Sequence, residues 1–390
     1  MRAIKSITRK PFGEHELKKF IIAVAIMGLT TPPIWSQTLM QAMTTATGPE
    51  RIWTRLIGSP EYDDGTGVGA DRYGNVYSSG YTLGSIQQPH QGKADPVALS
   101  FCANGCDQWQ YQWGMEADER AMDIAVTSNG ESAVCGTDSA AGAFIRKFDH
   151  NGRVCWEARP SMLYTADRVV VDRCGAVAVV GRNKPFATLC KVSPTGAICW
   201  TRKIGSDALT ISVAVDTHCH VYVAGIIGGV ATVLKFDTSG NEVWRTQWDD
   251  EAKTVRDIAV DSCGRLAVIG DRLSDKQPFV QTFAQSGAVG AAVTFSGKSY
   301  HHAWRLAIDK CDSIYVAGSL GQPGRQFLVK VDRSLKEQWW HWLTDDSVGF
   351  VRGLAIDGCG DILVSGDVNK SIHGQRFAGK RDIFVMKLRP

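Results

Sequence analysis

The chain has 390 residues, with 43 Lys or Arg against 40 Asp or Glu, a formal net charge of +3, 11 Cys, 12 Trp and 40 Gly. An apolar share of 44% beside only 21% charged residues excludes a disordered chain, and the glycines follow no collagen period. The cysteines are too sparse for a disulfide mini-scaffold, and a length suggesting two or three ordinary domains gives way wherever internal repeats are found.

The basic charge sits at the start. Residues 1–20 carry Arg2, Lys5, Arg9, Lys10, Lys18 and Lys19 against Glu14 and Glu16, a net of +4, so the +3 of the whole chain becomes −1 for residues 37–390. An uncharged apolar run of ten residues, Phe20–Leu29, follows, then Pro32, Pro33 and the small residue Ser36. This order makes residues 1–36 a signal peptide. The run is shorter than the ~20 residues a spanning helix needs, so no membrane span is expected after cleavage. The alternative is a membrane-tethered protein held by an uncleaved N-terminal segment. The expected location is secreted, periplasmic or cell-surface. A near-neutral mature chain is no electrostatic match for nucleic acid. Residues 37–50 show no period and read as a flexible tether.

From residue 51 to 390 one unit recurs. An Ile-Ala-Val-like run ends at Asp71, Thr127, Asp172, Asp216, Asp261, Asp309 and Asp357, and nine residues later stands Gly80, Gly136, Gly181, Gly225, Gly270, Gly318 or Gly366. Steps of 44 to 56 residues with strand patterning predict propeller blades. Each unit reads as four strands. Strand A ends in the Asp, a tight turn such as Ser262–Gly264 follows, and strand B runs to the Gly. Strand C is typified by Thr232–Asp237. A Ser-Gly or Asn-Gly turn leads to strand D, which carries Trp53, Trp109, Trp156, Trp200, Trp244 or Trp339. The first strand, 51–57, is a D strand and the last, 382–388, is a C strand. The expected fold is therefore an all-β, seven-bladed β-propeller of four-stranded antiparallel blades, with the N-terminal strand closing the last blade.

The order Trp, then Asp-x-x-Gly, then Phe/Val-x-Lys-Phe-Asp-x-Ser-Gly resembles the bacterial SBBP β-propeller repeat, and the strand phase is NHL-like. Asp257–Gly264 and Thr232–Trp244 carry the resemblance best. It spans about residues 51–390 and implies exported or surface proteins, often without an assigned activity. Blades 1 and 2 depart from it, with Tyr73 and Asn129 at the turn Cys position and Thr127 in place of Asp, and blade 4 lacks the turn Gly in Asp216–His220.

Cys174, Cys263, Cys311 and Cys359 share one turn position, and Cys219 is displaced by one. They read as a turn residue multiplied by duplication, with a metal-binding or inter-blade disulfide ring as the alternative. Two or three adjacent ligands on one turn, such as His218, Cys219 and His220, cannot surround an ion, so no metal or cofactor is expected. Cys102 and Cys106 flank the Asn104-Gly105 turn, and Cys190 and Cys199 lie across a C–D hairpin. Both pairs are candidate disulfides in an oxidising compartment.

No nucleophile elbow, phosphate loop, dinucleotide fingerprint or His-Glu-x-x-His motif is present. Trp113, Trp248 and Trp342 read as packing between blades. The candidate binding face lies at the start of strand A, opposite the A–B turns. It holds His301, His302, Trp304, Arg256, Arg352, Asp250 and Asp346. The expected function is an exported, monomeric binding or scaffold protein recognising a protein, peptide or glycan. The alternative is a propeller lyase or hydrolase using a His/Arg site at the channel mouth.

Overall fold

The computed structural model describes residues 48–390 apart from 209–210, 249–251, 273, 296–300 and 322. The expected signal peptide and all of the tether before Gly48 lie outside the described residues, as does Asp250. Among the described residues no helix is long and apolar enough to cross a membrane, and every regular element is a strand.

The first strand is β1 (Glu50–Ile57). Four-stranded antiparallel sheets follow in chain order. They are β2 (Asp63–Ala70), β3 (Val76–Thr82), β4 (Asp95–Phe101) and β5 (Asp107–Gln112); then β6 (Glu119–Val126), β7 (Ser132–Asp138), β8 (Gly142–Phe148) and β9 (Val154–Ala158). Next come β10 (Thr165–Val171), β11 (Val177–Asn183), β12 (Phe186–Val192) and β13 (Ile198–Ser206); then β14 (Ile211–Val215), β15 (Val221–Ile227), β16 (Val230–Phe236) and β17 (Glu242–Gln247). The last separate sheet is β18 (Ala252–Val260), β19 (Leu266–Arg272), β20 (Pro278–Phe283) and β21 (Val289–Thr294). An eight-stranded sheet completes the set. It joins β22 (His301–Ile308), β23 (Ile314–Gly321), β24 (Gly324–Val331) and β25 (Glu337–Trp342) to β26 (Gly349–Ile356), β27 (Ile362–Val368), β28 (Asp382–Arg389) and β1. Its two four-stranded halves meet at a single residue pair, Gly324 and Gly349.

The N-terminal strand pairs antiparallel with the C-terminal one, from Glu50 opposite Arg389 to Ile57 opposite Ile383. The pairing begins inside the expected tether, where Pro49 is already buried.

Sequence pattern explains the layering. Middle strands such as β15 are buried along their whole length, whereas the fourth strand β17 is largely exposed. A sheet covered on both faces needs unbroken apolar runs, and only its outer strand can be amphipathic. The core is accordingly a series of clusters between successive sheets. Val180 and Leu189 of one sheet meet Val213 and Leu234 of the next, and Val68 and Leu99 meet Ile383 and Val385 together with Trp53. The inner strand β2 lies against both β6 and β26.

The repeated residues hold these layers in register. At each A–B turn the closing Asp caps two backbone amides. Asp261 Oδ1 accepts Cys263 N–H at 2.9 Å and Arg265 N–H at 2.8 Å, and Asp357 does the same for Cys359 and Asp361. In the blade with Thr127, its hydroxyl takes the Glu131 N–H at 3.0 Å. Strand-D tryptophans tie one sheet to the next. Trp53, Trp109, Trp156, Trp200 and Trp244 each donate Nε1–H to a carbonyl in the following sheet's C–D turn, at 2.8–3.2 Å. The ring lies on the turn glycine, so a Cβ at Gly240 would strike Trp200.

Candidate functional site

At the start of strand A the inner strands share a device that the repeat pattern did not announce. In β2, β6, β10, β18, β22 and β26 the ladder skips a residue at the same place: Thr66, Met122, Asp167, Arg256, Trp304 and Arg352; β18 has a second register shift, at residue 253. A bulge leaves its residue unpaired and re-aims the side chain. It also drives a carbonyl toward the neighbouring strand, and there stands the repeat glycine. A Cβ at Gly270, Gly318 or Gly366 would come well inside 3.0 Å of the carbonyl oxygen of Thr254, His302 or Phe350. The nine-residue Asp-to-Gly spacing thus marks a bulged hairpin, and three of the sequence candidates are bulge residues.

In four of these strands the bulge residue meets the residue after the repeat glycine, fifteen positions on. Arg256 Nη2 lies 2.7 Å from Asp271 Oδ2, and Arg352 Nε lies 3.3 Å from Asp367 Oδ1. Asp167 and Arg182 make the same pair with charges exchanged, at 2.8 Å. Trp304 Nε1–H donates to Ser319 Oγ at 2.9 Å.

These pairs join into a belt. Arg256 stacks on the Trp304 ring, 4.1 Å from its centroid, and Trp304 stands edge-on to Phe350. Arg352 covers Phe350 at 4.6 Å. Asp367 also faces Arg381, which reaches Asp64 at 3.0 Å. The Tyr81 hydroxyl donates to Asp64, and Arg120, paired with Asp118 at 2.7 Å, lies over the Tyr81 ring at 4.6 Å. Burial alone would raise the Asp271 carboxyl, but hydrogen bonds from His302 and Arg256 outweigh it and hold it below the usual range. Asp367 behaves oppositely. Burial, reinforced by the nearby Asp64 charge, pushes it up to about 7 despite Arg352 and Arg381.

Inside the belt the inner strands are tied by acids. Asp257 accepts Ser212 Oγ–H at 2.7 Å and the Leu306 backbone N–H at 3.0 Å. Asp123 accepts the Val169 N–H at 3.2 Å. Arg305, buried, crosses from β22 to the Thr66 carbonyl on β2 at 3.3 Å. Burial, then the neighbouring Arg168 charge, lowers its guanidinium to about 10.

Of the expected site residues, His302, Trp304, Arg256 and Arg352 come together. His302 Nδ1 lies 3.1 Å from Asp271 Oδ2, so one carboxylate serves both a His and an Arg. Asp346 does not join them: its side chain is 86% exposed and faces Lys370 at 3.6 Å. His301 opens β22. Asp63 and Asp64 open β2 and are buried, because Ser59, Thr82, Tyr81 and Arg381 satisfy them. Asp271, Asp367, Tyr81 and Arg381 were missed. Opposite charges at a fixed spacing of fifteen were the available signal for the first two.

The expected packing between blades is seen for Trp113 and Trp248, whereas the ring contact of Trp342 is with its own strand. Trp113 meets Phe144 and Phe148, Trp248 meets Phe283 at 4.9 Å, and Trp342 meets Trp340. A groove of about 300 Å³ borders Trp113, Met115, Arg146 and Arg159.

All eleven cysteines are thiols. Cys102 Sγ accepts the Cys106 N–H at 3.1 Å, the role an Asp plays in sister turns. Cys190 is buried opposite Thr201, while Cys199 falls at a register shift and is exposed. At the other end of the strands, two neighbouring turns come close at one place. Cys174, Cys219 and Asp172 bring their ligand atoms within 4.8 Å of one another, and Asp216, His218 and His220 do likewise.

Residues 52–86 match the family described as SBBP, the beta-propeller repeat. The stretches that carry the resemblance best to the eye, 232–244 and 257–264, lie outside that match. No curated protein matches the chain. Among solved structures, the chain is similar to RRP9 WD40 repeats (TM-score 0.61, 10% identity, 88% of this chain and 99% of that one). It is similar to virginiamycin B lyase from Staphylococcus aureus (TM-score 0.59, 10% identity, 87% and 99%). It is also similar to the Neurospora crassa Pan2 WD40 domain (TM-score 0.55, 11% identity, 82% and 88%). The chain has a β-propeller fold.

Proposed function

We propose that the protein is an exported binding or scaffold propeller that recognises a protein, peptide or glycan partner through the belt at the start of the inner strands. The reading includes a closed ring of seven blades, with β1 as the outer strand of the last, and a monomeric mature chain. Support for the ring comes from the β1–β28 pairing and from the contact of β2 with both β6 and β26.

The observation that carries the binding role is Arg256 stacked on Trp304 while paired with Asp271. A guanidinium fixed on an aromatic face is a preorganised cation that loses little side-chain freedom on meeting a carboxylate or a sugar ring. The bulges present such groups side by side. The test is binding of the full-length chain to peptide and glycan arrays, repeated with Trp304→Ala and Arg256→Ala. Hits that both variants lose support the reading, and hits indifferent to both overturn it.

The His302–Asp271 contact favours the lyase or hydrolase alternative, since a His oriented by a carboxylate is the geometry of a general base. The likeness to virginiamycin B lyase is one of fold. A bound partner released chemically altered by the wild type but unaltered by His302→Gln selects the enzyme. Unaltered release by both selects the binding protein.

A further inference from the structure

We infer that Cys174, Cys219 and Asp172 form a site for one thiophilic divalent metal ion, bridging two neighbouring A–B turns. The three ligand atoms come from the turns after β10 and β14 and lie within 4.8 Å of one another. Bonds of about 2.3 Å to sulfur at a tetrahedral angle put two thiolates roughly 3.8 Å apart. Closing the site thus takes a shift of about an ångström, within the rotation of exposed Cys174.

The backbone gives the second, independent observation. At the third turn position after the strand-A Asp, the chain takes a left-handed conformation, and in five turns a glycine fills it, among them Gly175 with φ 81° and Gly264 with φ 81°. The turn after β14 puts Cys219 there, with φ 65°. A side chain in that conformation is disfavoured and persists where its surroundings require it. Here the position aims a side chain at the preceding blade. The other departure shows the same reach: Asp312, φ 61°, meets Ser262 of the sheet before it at 3.3 Å. One junction holds a hydroxyl–carboxylate contact and the other a pair of sulfurs.

Charge fits as well. Asp172 Oδ1 accepts the Cys174 and Ala176 N–H groups, while Oδ2 faces Lys191 Nζ at 3.0 Å. Lys191 also donates to the Cys219 carbonyl at 3.4 Å. The ligating carboxylate is thus oriented by its own neighbours, as ligands in metal sites are. Two thiolates, Asp172, Lys191 and a divalent ion balance to zero. Binding exchanges two thiol protons for the ion, so affinity rises with pH.

The probe is Cd²⁺, or Co²⁺ for its visible bands, added to the reduced full-length protein. The expected result is one equivalent bound, with sulfur-to-metal charge-transfer absorption and proton release. Cys174→Ser and Cys219→Gly should each weaken binding at least about 100-fold. Cys219→Gly is the decisive variant, because it restores the residue that the turn conformation favours and so leaves folding intact. Cys263→Ser, at the same turn position beside Asp312, should change nothing. Absorption that survives Cys219→Gly, absence of binding by the reduced protein, or a Cys174–Cys219 disulfide in freshly isolated protein overturns the site.

Discussion

At the end where strand A turns into strand B, the units differ little: an Asp, or once Thr127, caps its own turn, a left-handed residue follows, and a Lys, Arg or Tyr covers the second carboxylate oxygen, as Tyr222, Tyr315 and Arg265 do for Asp216, Asp309 and Asp261. At the opposite end the backbone repeats as faithfully: among the described residues, six inner strands carry a bulge at the same place. Yet the bulge residues are Thr, Met, Asp, Arg, Trp and Arg. Where side chains serve the turn itself, the repeat fixes them. Where the bulge turns them away from the ladder, it does not. The variable end is the one through which the proposed recognition would run, and the uniform end becomes informative where a turn breaks its own rule, as at Cys219 and Asp312.

The largest expected effect breaks the last blade. Deleting residues 51–58 removes the strand that pairs along β28 and the buried side chains of Trp53 and Ile57. Those two alone contribute roughly 5 kcal/mol of apolar burial, so the melting temperature should fall by at least about 10 °C. An unchanged melting curve would remove the support for a ring closed by β1. Next comes the bulge. Gly318→Ala forces a Cβ into the His302 carbonyl and should cost about 3 kcal/mol. Gly374→Ala, at φ 76° with nothing near, should cost only about 1 kcal/mol of backbone strain. Equal losses in denaturant titrations would show that backbone conformation, not the bulge, selects the repeat glycine.

The strand phase, the turns and the Trp of strand D were legible in the sequence because each depends on local chemistry at a fixed spacing. Propeller architecture follows from that repetition. The belt was half legible. Arg256, Trp304 and Arg352 could be placed near the start of strand A, but their partners Asp271 and Asp367 lie on the next strand, and only the bulge sets the offset of fifteen. Asp346 could be placed on the same face, but it stands in solvent, whereas Asp64 is enclosed by Tyr81 and Arg381. The Cys174–Cys219 approach was hidden because it depends on how adjacent blades stack.

Acidity separates the two ends more gently. Burial pushes Asp63 up to about 6 and Asp367 up to about 7, both at the belt end. A carboxyl whose folded value lies above its unfolded one contributes stability that is present below the unfolded value and lost as pH rises through the folded value. These two groups therefore make the protein lose stability between about pH 4 and 7. Asp63→Asn should flatten that slope in urea titrations across the range. At the turn end Asp216 is held below its usual value because hydrogen bonds, foremost from His220, outweigh burial. Its contribution is lost as pH falls instead, so Asp216→Asn should reduce the loss of stability below about pH 4. A slope unchanged by Asp63→Asn would mean that the belt carboxylates do not set it.

The smallest effect sharpens what holds the chain ends together. Glu50 and Arg389 face each other at 3.1 Å across the first register pair of β1 and β28, but their side chains are 72% and 62% exposed. Water and salt screen such a pair, and fixing two long side chains takes back most of the Coulomb gain, so Arg389→Ala should change stability by less than about 0.5 kcal/mol. Trp53→Phe removes the indole donor to the Ala103 carbonyl while keeping most of the ring, and should cost about 1 kcal/mol. The order of these two losses separates charge from packing. If Arg389→Ala costs more than Trp53→Phe, the termini are held by charge, and raising the salt should then destabilise the wild type. If the order is as expected, the backbone ladder and the indole lying on the next blade's turn hold β1, and stability should be nearly indifferent to salt.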